Sequence, residues 1–363
     1  METISTSEVN LFLERKEGFK LDCSVKFPTE GITVVFGESG SGKTTFLRCV
    51  AGLERAHGYV HVGNELWQDD KKNIFLPTWQ RQLGYVFQES SLFPHLSALK
   101  NLEFAIKRSK SPNSKERMET AIELLGIRTL LNRMPSQLSG GEWQRVAIAR
   151  AVATDPHVML FDEPLASLDF ARKVEILPWL EKLKEELKIP MLYVTHSANE
   201  VVKLADHIIV LEKGLLKASG SLQSVLSNVD LPVKLEGKLG VVLRGKVTDK
   251  DSHWNLLTVR IENFDITVPD GGEEVGDSVS LQVLAKDVSI TAAKPESTSI
   301  LNILPGKVTQ IRQEDNHIDS LVQIDCNGQK FLSLVTNKSL NSLCLQEGSN
   351  VWIQFKSMSL SAR

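Results

Sequence analysis

Gly37-Glu38-Ser39-Gly40-Ser41-Gly42-Lys43-Thr44-Thr45 is the stretch from which the rest of the chain can be read. It fits the G-x-x-x-x-G-K-[ST] pattern of a loop that cradles a polyphosphate. Before it, GITVVF has the length and composition of a buried strand. After it, Phe46, Leu47, Val50 and Leu53 mark the buried face of a helix, and Gly52 its end. Glycines let backbone N–H groups curl around phosphate oxygens without side-chain clash, and the helix N-terminus adds partial positive charge. Gly37, Ser39, Gly40, Ser41, Gly42, Lys43, Thr44 and Thr45 are therefore the expected phosphate contacts, with Lys43 on the β- and γ-phosphates and the Thr44 hydroxyl on Mg²⁺. Chance produces this pattern about once in a hundred chains of this length, and the flanking strand and helix make it rarer still.

Outward from the loop, 363 residues exceed one comfortable core, so two domains are expected. From Leu21 to about Leu222, short β-rich runs alternate with amphipathic stretches, the pattern of a parallel sheet covered by helices. RQLGYVFQ, HVMLFDEP and PMLYVTH read as strands that each lead into a polar loop. Residues of about 90–140 read instead as a mostly helical insertion. After about Pro232 the helical period gives way to strand-sized alternation, which divides the chain into 1–231 and 232–363. GKVT occurs at Gly245 and again at Gly306, and each copy is followed later by a related ending, GDSVSLQVLAKDVSI and GSNVWIQFKSMSLS. Two copies of a small β unit joined near Lys294 to Ser299 account for this echo. Their strand count fits OB-like half-barrels.

A net charge of −3 gives no general pull toward nucleic acid. The polar N-terminus has no apolar stretch of signal-peptide length, and no run approaches a membrane span. A cytosolic chain that meets a membrane only through partners is expected. Cys23, Cys49, Cys326 and Cys344 form no C-x-x-C pair and read as buried, reduced thiols. His57 and His61 are four apart, but the alternation around Gly58 argues for a strand rather than a metal-binding helix.

VMLFDEP delivers Asp162 to the C-terminal end of a buried strand, where ligands bind in such sheets. Asp162 would hold Mg²⁺, and Glu163 is placed to polarise an attacking water. Leu138-Ser139-Gly140-Gly141-Glu142 has two readings. Ser139 with Glu142 makes a capping box that opens a helix, and the two glycines leave bare N–H donors that can face an anion. Both can hold together.

The phosphate loop, Gln88 in VFQES, LSGGE, FDEP, Ser167-Leu168-Asp169 and His196 in VTHS occur in the order seen in ABC-transporter ATPases, which residues 10–230 resemble. The resemblance implies an α/β P-loop NTPase with a helical insertion, working as a head-to-tail dimer with two ATP molecules at the interface. Each phosphate loop would face Ser139, Gly140 and Gly141 of the second copy, with Asp169 lining the dimer contact. Gln88 would touch Mg²⁺ or the attacking water and report to a polytopic permease. His196 would hold the γ-phosphate and orient Glu163. Relatives of this kind often stack adenine on an upstream aromatic residue. That position falls near Arg15 or Lys16, neither of which is aromatic, and leaves Phe12 or Phe19 to substitute.

Ser299-Ile300-Leu301-Asn302-Ile303-Leu304-Pro305-Gly306-Lys307-Val308 resembles the start of Mop-type, or TOBE, domains over about 296–361. IFLPTWQRQLGYVFQESSLFPH likewise resembles the ATPases of molybdate importers. These resemblances imply a peripheral subunit on the cytoplasmic face of the membrane, supplied by an extracytoplasmic molybdate-binding protein. Ser299, Asn302 and Lys307 could hold a regulatory molybdate in the tail. Alternatively Asn302 and Gly306 make turns, Lys307 is solvated and the half-barrels only dimerise. Importers of sulfate, tungstate or a polyamine share these features, and a soluble non-transport ABC ATPase is the reading from another class.

Overall fold

The computed structural model describes residues 6–15, 18–89, 91–109, 111–313 and 318–360. The chain forms two compact units, residues 1–196 with 204–220, and residues 197–203 with 221–363.

In the first unit the strands are β1 (Thr6–Glu14), β2 (Lys20–Pro28), β3 (Gly31–Phe36), β4 (His57–Val62), β5 (Glu65–Asp69), β6 (Ile74–Phe75), β7 (Leu83–Val86), β8 (Val158–Asp162), β9 (Pro190–Thr195), β10 (His207–Glu212) and β11 (Leu215–Ser221). They form one sheet in the order β6-β5-β4-β1-β2-β11-β10-β3-β9-β8-β7. The run from β10 to β7 is parallel. Every residue of β8 and β9 is buried, as strands covered on both faces must be.

The parallel sheet expected from the alternation is only part of this layer. β1, β2, β4, β5 and β6 are joined by antiparallel pairings. β1 shows why: Val9 and Leu11 are buried between exposed or half-buried neighbours, so one face needs a core and the other tolerates water. His57 and His61 lie on β4, as the alternation implied.

The helices of this unit are α1 (Lys43–Ala51), α2 (Ala98–Ile106), α3 (Ser114–Leu124), α4 (Gly140–Val152) and α5 (Phe170–Leu187). α1 ends where Gly52 turns into the left-handed region at φ 74°. Phe46, Leu47 and Val50 enter a core with Val9, Leu11 and Trp67, and full burial of such side chains stabilises the fold by about 1.5–3 kcal/mol each. Leu53 does not join them, being 39% exposed just past the helix end. α2 and α3 pack on α4 and on each other, making the helical insertion. No helix among the described residues is long and apolar enough to cross a membrane.

The second unit contains α6 (Ala198–Leu204, to Lys203) and α7 (Leu222–Leu226), then strands β12 (Gly240–Asp251), β13 (Leu256–Ile261), β14 (Phe264–Pro269), β15 (Ser278–Leu284), β16 (Ser289–Thr291), β17 (Asn302–Gln313), β18 (Asp319–Cys326), β19 (Gln329–Thr336) and β20 (Asn350–Phe355). It starts earlier than the change of pattern near Pro232 because α7 packs on β12. One short helix, α8 (Asn337–Ser342), interrupts what reads in the sequence as strand only.

The echo is structural. β12 pairs with β13 and β15, and β17 pairs with β18 and β20. Both long strands shift register just after GKV, between Val247 and Asp249 and between Val308 and Gln310. At each bulge the valine is clamped alike. Gly276 N donates to Val247 O at 2.8 Å, and Gly348 N donates to Val308 O at 2.8 Å. A Cβ on Gly245 would lie 2.4 Å from Arg260 O, and one on Gly306 would lie 2.6 Å from Ile324 Cγ2. The copies also interlock, since β16, at the end of the first, pairs with β20 of the second.

Candidate nucleotide site

The site begins where β3 ends. A Cβ on Gly37 would lie 2.3 Å from Leu211 O, so only glycine lets the chain leave the sheet there. Gly42 takes φ 96°, turning the loop into α1 with its first N–H groups open. The buried Ser41 Oγ finds no hydrogen-bond partner among the described residues, and the loop exposes Glu38, Ser39 and Gly40. An orphaned hydroxyl beside open backbone donors fits phosphate oxygens.

Lys43 is only 4% exposed, and its Nζ donates to the carbonyls of Gly37 and Glu38, each at 2.9 Å. Burial pulls its pKa below the usual lysine value, while the carboxylates of Glu163 and Asp162 push the other way. Glu163 Oε1 is 3.8 Å from Lys43 Nζ. Glu163 has φ 44°, an uncommon conformation for a non-glycine residue, which turns the chain sharply after β8. Its Oε2 is 3.1 Å from His196 Nδ1. Asp162 pairs with Val194 across β8 and β9, so both strands end at the same edge and present Glu163 and His196 together.

Asp162 is buried and held on both oxygens. Thr44 Oγ1 donates to Oδ1 at 2.8 Å, and Tyr85 Oη donates to Oδ2 at 3.1 Å. Burial raises its pKa, opposed by those two hydrogen bonds. No contiguous sequence motif marks Tyr85. Its register partner is Leu160, two residues before Asp162, so both side chains share a face of the sheet. Alternation along GYVF hints at this, but only register shows it.

Lys43, Thr44, Asp162, Glu163 and His196 are thus brought together by one chain. Ser139, Gly140, Gly141 and Asp169 belong to a second cluster. Ser139 N donates to Glu142 Oε2 at 2.7 Å and Ser139 Oγ accepts from Glu142 N at 3.3 Å, the capping box expected at the start of α4. The hydrogen bond from the Ser139 backbone is the main cause holding the Glu142 carboxyl below its usual pKa. A Cβ on Gly140 would touch Leu168 Cδ2 at 3.0 Å, and Asp169 caps α5 by accepting from Arg172 N at 3.0 Å.

Gln88 stands exposed just past β7, the strand beside β8. The segment after it is tied down by Arg150, whose Nη1 donates to Ser91 O at 2.7 Å, and by Asn101, which bonds both backbone groups of Phe93. A groove of about 780 Å³ opens here, lined by Trp79, Phe87, Phe93, Phe104, Arg108 and Arg150 among others. On the loop's other side, a Cβ on Gly42 would meet Phe19 Cζ at 2.9 Å, and the Arg15 guanidinium lies 5.5 Å from the Phe19 ring centre. Phe12 sits on β1 beneath Lys20, and Lys16 lies outside the described residues.

In the second unit, Ser299 and Lys307 are exposed while Asn302 is buried and fully engaged. Its Oδ1 accepts from Thr267 N at 2.7 Å, and its Nδ2 donates to Thr267 O at 2.9 Å and Ser357 Oγ at 3.2 Å. The amide fastens β17 to β14. A cavity of about 340 Å³ elsewhere in this unit is lined by Lys234, Lys238, Lys286 and Arg312, with Asp319 as the acid. Of the thiols, Cys23, Cys49 and Cys326 are buried, and burial pushes each up to about 12. Cys344 is exposed, contrary to expectation, because it follows the end of α8 at φ 48°.

Known proteins share these features. The family described as ABC transporter matches residues 21–166, and the TOBE domain matches residues 298–362. A molybdenum import ATP-binding protein of Methylococcus capsulatus is 47% identical over 344 residues, 94% of this chain and 96% of its own length. The protein of the same name from Pseudomonas syringae pv. tomato is 45% identical over 362 residues, 99% of this chain and 100% of its own. Among solved structures, cbiO1 from Clostridium perfringens, described as part of the ABC transporter complex cbiONQ, matches with TM-score 0.54 and 26% identity over 61% of this chain and 90% of that one. With both motif clusters in place on the fold and relatives matching nearly end to end, the chain belongs to the molybdenum import ATP-binding proteins, among the ABC transporter ATPases.

Proposed function

We propose that this chain hydrolyses ATP as the motor subunit of a molybdate importer. The observation that carries the motor is Glu163, poised between Lys43 and His196 at the mouth of the phosphate loop. Phosphoryl transfer to water needs position and charge more than covalent chemistry. Gly37 to Thr45 would hold the phosphates, with Lys43 moving from its own loop carbonyls to the β- and γ-oxygens. Glu163 would accept a proton from the attacking water, and His196 would orient Glu163 and bind the γ-phosphate. The Thr44 hydroxyl and the Asp162 carboxylate are hard oxygen donors that fit Mg²⁺, and Gln88, just past β7, would be a further ligand. Bound there, Mg²⁺ would supply positive charge at the β- and γ-phosphates. Phe19, whose ring edge abuts the loop at Gly42, is the better placed of the two candidate adenine platforms.

The second cluster supports a head-to-tail pair. The first turn of α4, opened by Ser139, Gly140 and Gly141, offers backbone donors for the γ-phosphate held by another copy, with Asp169 at that contact. The aromatic and cationic groove beside Gln88 supports docking of a polytopic permease on the cytoplasmic face of the membrane. An extracytoplasmic binding protein would deliver the oxyanion to that permease. Regulatory molybdate is better served by the cavity with Lys234, Lys238, Lys286 and Arg312 than by the Asn302 segment. Calorimetry of the full chain should give molybdate binding that is lost in Lys286→Ala; equal heats from both proteins would move the regulatory site elsewhere.

The cargo is tested by uptake. Cells lacking this chain should lose molybdate accumulation and regain it with the wild-type chain but not with Lys43→Ala. If excess sulfate or a polyamine abolishes that uptake, the cargo assignment is wrong. If the chain never co-purifies with a membrane protein, the soluble alternative replaces the transport reading.

A further inference from the structure

The Asp162 carboxylate is gripped from two sides, by Thr44 on Oδ1 and by Tyr85 on Oδ2. The tyrosine comes from β7, the strand that leads to Gln88, not from the phosphate loop or β8. Two hydrogen bonds on opposite oxygens fix the carboxylate plane, while each oxygen keeps a further lone-pair position. The Tyr85 ring is itself held. It packs against Phe87 with centroids 4.2 Å apart, and Phe87 immediately precedes Gln88. Tyr85 and Phe87 also line the groove that contains Arg150 and Phe104.

We propose that Tyr85 is a positioning residue for the metal: it holds the Asp162 carboxylate in its metal-binding orientation and ties that orientation to the Phe87–Gln88 segment. The proposal rests on the reading that Thr44 and Asp162 hold Mg²⁺. Hydrogen bonds that orient a metal ligand commonly change metal affinity 10- to 100-fold when removed. Since Thr44 still holds the other oxygen, the lower end of that range applies.

Tyr85→Phe keeps the ring, its burial and the Phe87 contact, and deletes one hydroxyl. Equilibrium binding of a fluorescent ATP analogue to the full chain, titrated with Mg²⁺ and repeated in EDTA, is the test. Half-maximal Mg²⁺ enhancement of binding should move to about tenfold higher concentration in Tyr85→Phe, with the EDTA affinity within about twofold of wild type. Mn²⁺ titration followed by electron paramagnetic resonance should show the same shift without any turnover. An unchanged Mg²⁺ midpoint overturns the proposal. So does an equal loss of affinity with and without metal, which would make the hydroxyl a packing group. If wild-type binding itself ignores Mg²⁺, the metal reading fails first and the proposal falls with it. Tyr85→Met, which keeps most of the bulk, replaces the phenylalanine variant if that protein does not fold.

Discussion

Lys43 is buried with its charge turned onto the carbonyls of Gly37 and Glu38, 2.9 Å from each. Glu163 waits 3.8 Å away, fixed from its other oxygen by His196. At this scale the proposed mechanism gives each side chain a distinct task, which makes single substitutions informative. Glu163→Gln is nearly isosteric and keeps a hydrogen-bonding head toward His196, but it removes the proposed proton acceptor. Steady-state hydrolysis should fall by about 10²–10⁴-fold, the usual worth of a positioned general base, while ATP affinity measured at equilibrium stays close to wild type. Near-normal turnover would remove Glu163 from the reaction.

Among the elements, legibility in the sequence follows the range of the interactions involved. The phosphate loop, α1 and the Ser139–Glu142 cap are written in contiguous residues, because glycine conformations and capping bonds are local. The bulges after Gly245-Lys246-Val247 and Gly306-Lys307-Val308 are legible as an echo for the same reason. Strand partners are different. The antiparallel pairing of β1 with β4, and of β16 with β20, depends on which edges meet, and no short segment encodes that. Tyr85 is not legible in the sequence because its reach to Asp162 is a matter of register between β7 and β8. Asn302 drew notice for its chemistry, yet it proves to be a fastener between β14 and β17. Asn302→Ala strands the backbone groups of Thr267, so the chain should lose about 1–3 kcal/mol of stability in denaturant unfolding. Calorimetric molybdate binding should persist wherever the second unit remains folded. Loss of binding in a fully folded variant would restore Asn302 as a ligand.

For the whole molecule, the proposed reading of the two motif clusters makes a machine that is complete only as a pair. Lys43, Asp162, Glu163 and His196 gather at one place, while Ser139, Gly140 and Asp169 gather around the starts of α4 and α5. A second copy in head-to-tail arrangement would bring each phosphate loop to the other chain's α4, with two equivalent sites related by the pair's symmetry. The most direct test mixes two inactive chains, Lys43→Ala and a Ser139-region variant such as Gly141→Asp, and measures ATP hydrolysis. If the sites are shared, random pairing makes half of the dimers mixed, each with one intact site, so the mixture should recover about a quarter of wild-type activity. If each site is built within one chain, both partners stay dead and the mixture hydrolyses no ATP.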